Sequence, residues 1–208
     1  MRARTFLLIL LLVALALPAL AQRRQLSPFQ FVLEGGAALP YGDLADPFIG
    51  TEKGLGAGTG YALGARLRYY LGPTTSVGPS FHYVNFSDWN DITQDGTPYS
   101  VRTSLFRYGV DIQQFLVPRG KRVRPYLTLG GALVHKRYQD WLQGDGTFDA
   151  SANSLSFALG GGLAMGPVEV SLTWNYNPTE LRQLVPQGDD SEFDWSYLMV
   201  AAGLALGR

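Results

Sequence analysis

Apolar and polar positions alternate along most of this chain. The run YALGARLRYYLG, residues 61–72, sets Tyr61, Leu63, Ala65, Leu67, Tyr69 and Leu71 against Ala62, Gly64, Arg66, Arg68 and Tyr70. A period of two marks a strand with two unlike faces. The same pattern predicts eight strands: Phe29–Leu39, Gly60–Leu71, Ser76–Phe86, Val101–Leu116, Pro125–Tyr138, Ser154–Met165, Val168–Tyr176 and Trp195–Leu206. No convincing amphipathic helix lies between them. Long connections follow the odd strands. Short ones follow the even strands: GPTT at 72–75, VPRGKRVR at 117–124 and GP at 166–167. One rim of long loops and one of tight turns is the pattern of an up-and-down antiparallel sheet, and eight such strands can close and remove their edges.

Period alone does not say which face is inside, because a soluble lipocalin-like barrel alternates too. Three features choose. The polar face is dominated by Gly, Ala, Ser and Thr, which suit a narrow eight-stranded interior. Its few charges carry both signs, Glu34, Asp111 and Glu169 against Arg66, Arg68 and Arg107, so they can pair where a lone charge is costly. Aromatic residues gather near strand ends (Tyr69, Tyr83, Phe86, Trp89, Tyr138, Trp141, Trp174, Tyr176, Trp195 and Tyr197), the pattern of a girdle at the membrane–water boundary. An arginine on a lipid face at mid-depth costs about 2–4 kcal/mol, which fixes the register of Arg66 and Arg68. Some ten residues at ~3.3 Å each, tilted by ~40°, give an apolar band near 25 Å tall. The expected fold is an all-β, eight-stranded antiparallel up-and-down transmembrane β-barrel.

Composition sharpens this. Charged residues are only 16% of the 208, well below the usual quarter, and glycine is plentiful at 25, as in a β protein that does not show water its whole exterior. The formal charge is zero, so no strong field advertises nucleic acid. The absence of cysteine excludes disulfides, thiolate metal sites and a lipid-modified N-terminal cysteine. Residues 1–21, MRARTFLLILLLVALALPALA, read as a signal peptide: Arg2 and Arg4, an apolar run too short to span a bilayer, and Ala19-Leu20-Ala21 as the cleavage site. Residues 22–208 are then expected to form the barrel domain.

With glycine-punctuated strands such as YALGARLRYYLG, RPYLTLGGALV and SLSFALGGGLAMG, residues 28–208 resemble the small bacterial outer-membrane β-barrel proteins of the OmpA/OmpX-like, eight-stranded kind. The resemblance implies a bacterial outer-membrane location and an interior cluster of salt bridges. For the latter the candidates are Glu34, Arg66, Arg68, Arg107, Asp111 and Glu169. It also implies outer-membrane lipid and the outer-membrane assembly machinery as partners, and a monomer. The family's chains usually end on an aromatic residue, whereas this one ends GLALGR, and no peptidoglycan-binding domain is expected after the barrel.

Acidic residues crowd the four predicted long loops: Asp43, Asp46 and Glu52; Asp88, Asp91 and Asp95; Asp140, Asp145 and Asp149; Glu180, Asp189, Asp190, Glu192 and Asp194. Simple solubility of outer loops accounts for them; a sharper reading is divalent-cation binding against lipid phosphates. DWLQGDGTFD at 140–149 lacks the spacing of a calcium loop, and GLGAGTG at 54–60 precedes a strand rather than a helix, so neither is read as a site. No catalytic, cofactor or metal site is expected. His82 lies near Ser80 and Ser87, but Ser80 and His82 would both point into the lumen, and no activated nucleophile is evident. The function expected is non-enzymatic: envelope integrity, or surface binding through the acidic loops to an unidentified ligand. The alternatives are a narrow pore, a lipid-modifying enzyme and a soluble carrier.

Overall fold

In the computed structural model the chain is described over residues 27–45, 56–87, 89–92, 98–142, 146–180 and 192–207. The predicted signal peptide and the loop acids Asp46, Glu52, Asp88, Asp95, Asp145, Asp189 and Asp190 lie outside those residues.

Eleven strands are present among them: β1 (Phe29–Pro40), β2 (Gly58–Tyr70), β3 (Thr75–Ser87), β4 (Trp89–Ile92), β5 (Pro98–Phe115), β6 (Val123–Leu142), β7 (Gly146–Met165), β8 (Val168–Tyr176), β9 (Pro178–Glu180), β10 (Glu192–Asp194) and β11 (Tyr197–Leu206). Eight of them form a ring. β1 pairs with β2, β2 with β3, β3 with β5, and pairing continues through β6, β7 and β8 to β11, which returns to β1, every pair antiparallel. The closing seam, β1 on β11, runs from Phe31 against Leu206 to Pro40 against Tyr197. β4 pairs with the first residues of β5, and β9 and β10 form a separate small hairpin.

The alternation places its apolar face outward. Leu63 (56% exposed), Leu159 (56%) and Leu172 (49%) face away from the barrel, while Arg66 and Arg68 are buried within it. The opposite arrangement, with these leucines inside and the arginines outside, is not the one formed. The short rim is built from tight turns. Met165 pairs directly with Val168, so Gly166-Pro167 forms a two-residue hairpin whose first position, at φ 67°, suits glycine.

Two expectations need correction. The third long loop is mostly strand. β6 runs to Leu142 and β7 starts at Gly146, so Asp140 and Asp149 lie on strands, and Asp91 likewise lies on β4. These strand ends project beyond the apolar band: past Leu133 the outward side chains of β6 are His135 and Arg137. Beyond the membrane the outward face need not be apolar, so the alternation that marks the lower part of these strands is lost from the sequence. The second correction concerns the girdle. Phe86, Trp195 and Tyr197 are fully buried and Tyr138 nearly so. They fill the lumen instead of ringing the membrane. Phe86 shares parity with His82 and Val84, and Tyr138 with Val134 and Lys136, so the period of two puts these rings inside. Trp174 does face outward, and Tyr69, Tyr83 and Tyr176 are half-buried.

Candidate functional site

The candidate site is the lumen with its two mouths. From mid-height toward the short turns the six predicted charges are all buried, and each faces a partner. Arg66 on β2 donates to Glu34 on β1, and His82 on β3 occupies the other oxygen of the same carboxylate. Arg68 forks onto Glu169 on β8, with Nη1 on Oε1 and Nη2 at 2.5 Å from Oε2. A fork of this kind fixes both planes and is stronger than a single contact. Arg107 on β5 donates to Asp111 Oδ1 at 3.4 Å and to Ser80 Oγ at 3.3 Å. Glycine makes the room. A methyl group at Gly130 would stand 2.7 Å from Arg107 Nη2, and one at Gly64 would press on the His82 ring. The gap left among Glu34, Arg66, His82, Arg107 and Asp111 measures ≈ 10 Å³, room for no more than one water. Ser80 and His82 do not pair with each other: the hydroxyl serves Arg107, the imidazole Glu34.

Toward the long-loop end the lumen turns apolar. Val84, Phe86, Leu105, Val134, Trp195, Tyr197 and Met199 form one buried cluster, joined by Leu44 from a single 3-10 turn at Gly42–Leu44. Two acids of the predicted loop set act here as structural acceptors. Asp43 accepts the backbone N–H of Asp194 at 2.9 Å, and Asp194 accepts that of Ser196 at 2.9 Å, so the first and fourth long-loop segments are tied together. Sequence patterning did not single out Lys136. It is fully buried, donates to the carbonyls of Asn177 at 2.7 Å and Pro178 at 3.2 Å, and lies 5.3 Å from the Trp195 ring. Its inward parity with Val134 was the available signal.

On the projecting wall outside the membrane band, Arg137 and Asp149 pair at 2.5 Å, and the guanidinium holds the Asp149 carboxyl below its ordinary pKa. Both are exposed, so solvent screens the pair. His135 and Asn153 bond at 2.9 Å beside it. Among the described residues no group of three or more acids and histidines is placed to hold a metal ion.

At the short-turn mouth, Tyr70, Phe115 and Tyr126 form an aromatic layer, and basic residues close over it. The Arg124 guanidinium lies 3.8 Å from the centre of the Phe115 ring, and that of Arg119 lies 4.0 Å from the centre of the Tyr70 ring. Burial and the neighbouring Arg124 lower the pKa of Arg119, against the opposing influence of Tyr70.

A closed antiparallel barrel with an apolar exterior and a charged interior is a transmembrane β-barrel, since closure satisfies every ladder hydrogen bond within lipid. The family model described as outer membrane protein beta-barrel domain matches residues 7–203, and the chain belongs to that family; it is a bacterial outer-membrane protein. No curated protein matches the chain. Among solved structures, Ail, the attachment invasion locus protein of Yersinia pestis, determined in complex with the heparin analogue sucrose octasulfate, is 13% identical. That match covers 86% of this chain and 99% of Ail at a TM-score of 0.53. Neisserial surface protein A is 14% identical over 89% of this chain and 100% of its own, also at 0.53. A major outer membrane protein from Thermus thermophilus is 15% identical over 86% and 99%, at 0.51. At these identities the likeness is one of fold.

Proposed function

We propose that this protein is a plugged, non-conducting and non-enzymatic barrel, whose work is done at its surfaces: holding the envelope together and presenting an outer face for binding. Its short turns face the periplasm and its longer connections face outward, the usual orientation of such barrels. The observation that carries this reading is the filled lumen. A hydrated ion would have to displace Trp195, Tyr197 and Phe86 and then break the Glu34–Arg66 pair, within a gap that holds at most one water. The separate engagements of Ser80 and His82 support the non-enzymatic part. Binding is assigned to the outward end, where β5, β6 and β7 rise past the apolar band and carry polar side chains such as Arg102, His135 and Arg137. Outer-membrane lipid and the assembly machinery are the partners this architecture requires, and the loop ligand is a surface-exposed molecule outside the cell.

Planar-bilayer recording tests the central claim. The folded protein is expected to leave the membrane silent; steady unitary currents from wild-type protein would replace this reading with the narrow pore.

A further inference from the structure

The short-turn mouth contains a cavity of ≈ 390 Å³ whose wall includes Gln30, Tyr70, Arg119, Lys121, Arg122 and Arg124. Its charge balance is uneven. Glu169 is the carboxylate on that wall, and both of its oxygens already bind Arg68. Four cations therefore line the cavity, and among the described residues no free anion shares its wall.

Arg124 makes this more than a basic patch. It is only 9% exposed. Its Nε donates to the Val117 carbonyl at 3.3 Å and its Nη1 to the Tyr70 hydroxyl at 3.4 Å, while Phe115 supports the plane of the guanidinium. Its Nη2 is buried with no hydrogen-bond partner among the described residues. Arg119 is held in a similar way, by the Tyr70 ring and by the Ser27 carbonyl at 2.9 Å. The two fixed guanidiniums are flanked by Lys121 and Arg122, both exposed on the turn. Planar guanidinium forks beside long, adaptable basic side chains suit a tetrahedral oxyanion with several acceptor oxygens.

We propose that this mouth is a phosphate-binding site, with the fixed guanidiniums of Arg124 and Arg119 on its wall and Lys121 and Arg122 completing the ring. The phosphate comes either from an anionic phospholipid headgroup of the inner leaflet or from a soluble phosphate in the periplasm. The site is separate from the outer face and from the plugged lumen above it.

The test uses the purified, folded full barrel. Calorimetric titration with pyrophosphate is expected to show one site on the wild type. Affinity should fall about tenfold or more in Arg124→Gln, the loss of a fixed positive charge from the cavity wall. A similar fall is expected in the Lys121→Gln/Arg122→Gln double variant, whose exposed side chains leave folding intact. Barrels in nanodiscs of phosphatidylglycerol or phosphatidylcholine then separate the sources by native mass spectrometry. Retention of one phosphatidylglycerol, displaced by pyrophosphate, assigns a lipid headgroup. Equal pyrophosphate affinity in both discs with no retained lipid assigns the soluble anion. If the wild type binds neither ligand, or if the double variant binds pyrophosphate as tightly as the wild type, the site does not exist.

Discussion

Beyond the level of Glu34, toward the long loops, the barrel is filled by Phe86, Trp195, Tyr197 and their neighbours; at that level and toward the short turns it is filled by Arg66, Arg68 and Arg107 with their carboxylates. Both fillings exclude space, by different physics. The apolar layer is held by non-directional burial, which asks for volume and tolerates repacking. The ionic layer is held by directed contacts between fixed positions on the strands, so it asks for register. Removing one half of a buried pair leaves the other charge stranded, whereas trimming a buried ring leaves only a smaller apolar group.

That contrast can be broken at three places. Arg66→Leu should destabilise most, by about 3–5 kcal/mol, because Glu34 would keep only His82. The temperature of lost heat-modified gel mobility should drop clearly, while Arg102→Leu at the exposed outer wall stays near wild type; equal midpoints would remove the ionic layer from the account. Gly130→Ala should cost about 1–3 kcal/mol by pressing on Arg107 and Asp111. Its neighbour Gly131 has nothing within 4 Å of an added methyl group, so Gly131→Ala is the matched control, and a loss of equal size there would point to backbone effects instead. Phe86→Leu should cost least, under about 1.5 kcal/mol, if the apolar layer repacks as such layers do. A larger drop in the same gel-shift midpoint than Arg66→Leu gives would reverse the ranking of the two fillings.

The ring was legible in the sequence wherever one face met lipid. The segments carrying Leu63, Leu159 and Leu172 were readable because hydrocarbon demands a continuous apolar side. Where the same strands leave the membrane, the demand stops, and residues 139–153 read as a loop although most of them lie in β6 and β7. The charges could be nominated by face but not matched. Arg68 and Glu169 are 101 residues apart, and only closure of the barrel brings them together. Phe86, Tyr138 and Tyr197 were misplaced because their position near strand ends was weighed above their parity. Asp43 and Asp194 were indistinguishable from solubilising acids until the backbone groups they bind were in view.

Joining the first strand to the last has a temporal consequence. β1 is made early in the chain and its partner β11 last, so the seam consists of the contacts with the greatest sequence separation. Contacts of that kind bear the largest loop-closure entropy and slow the approach to the native state. With Phe31 and Leu206 apart, the sheet would have two unsatisfied ribbon borders, one on β1 and one on β11. That single seam is what separates an open, sticky curl from an insulated cylinder, so a change that weakens it exposes both borders at once.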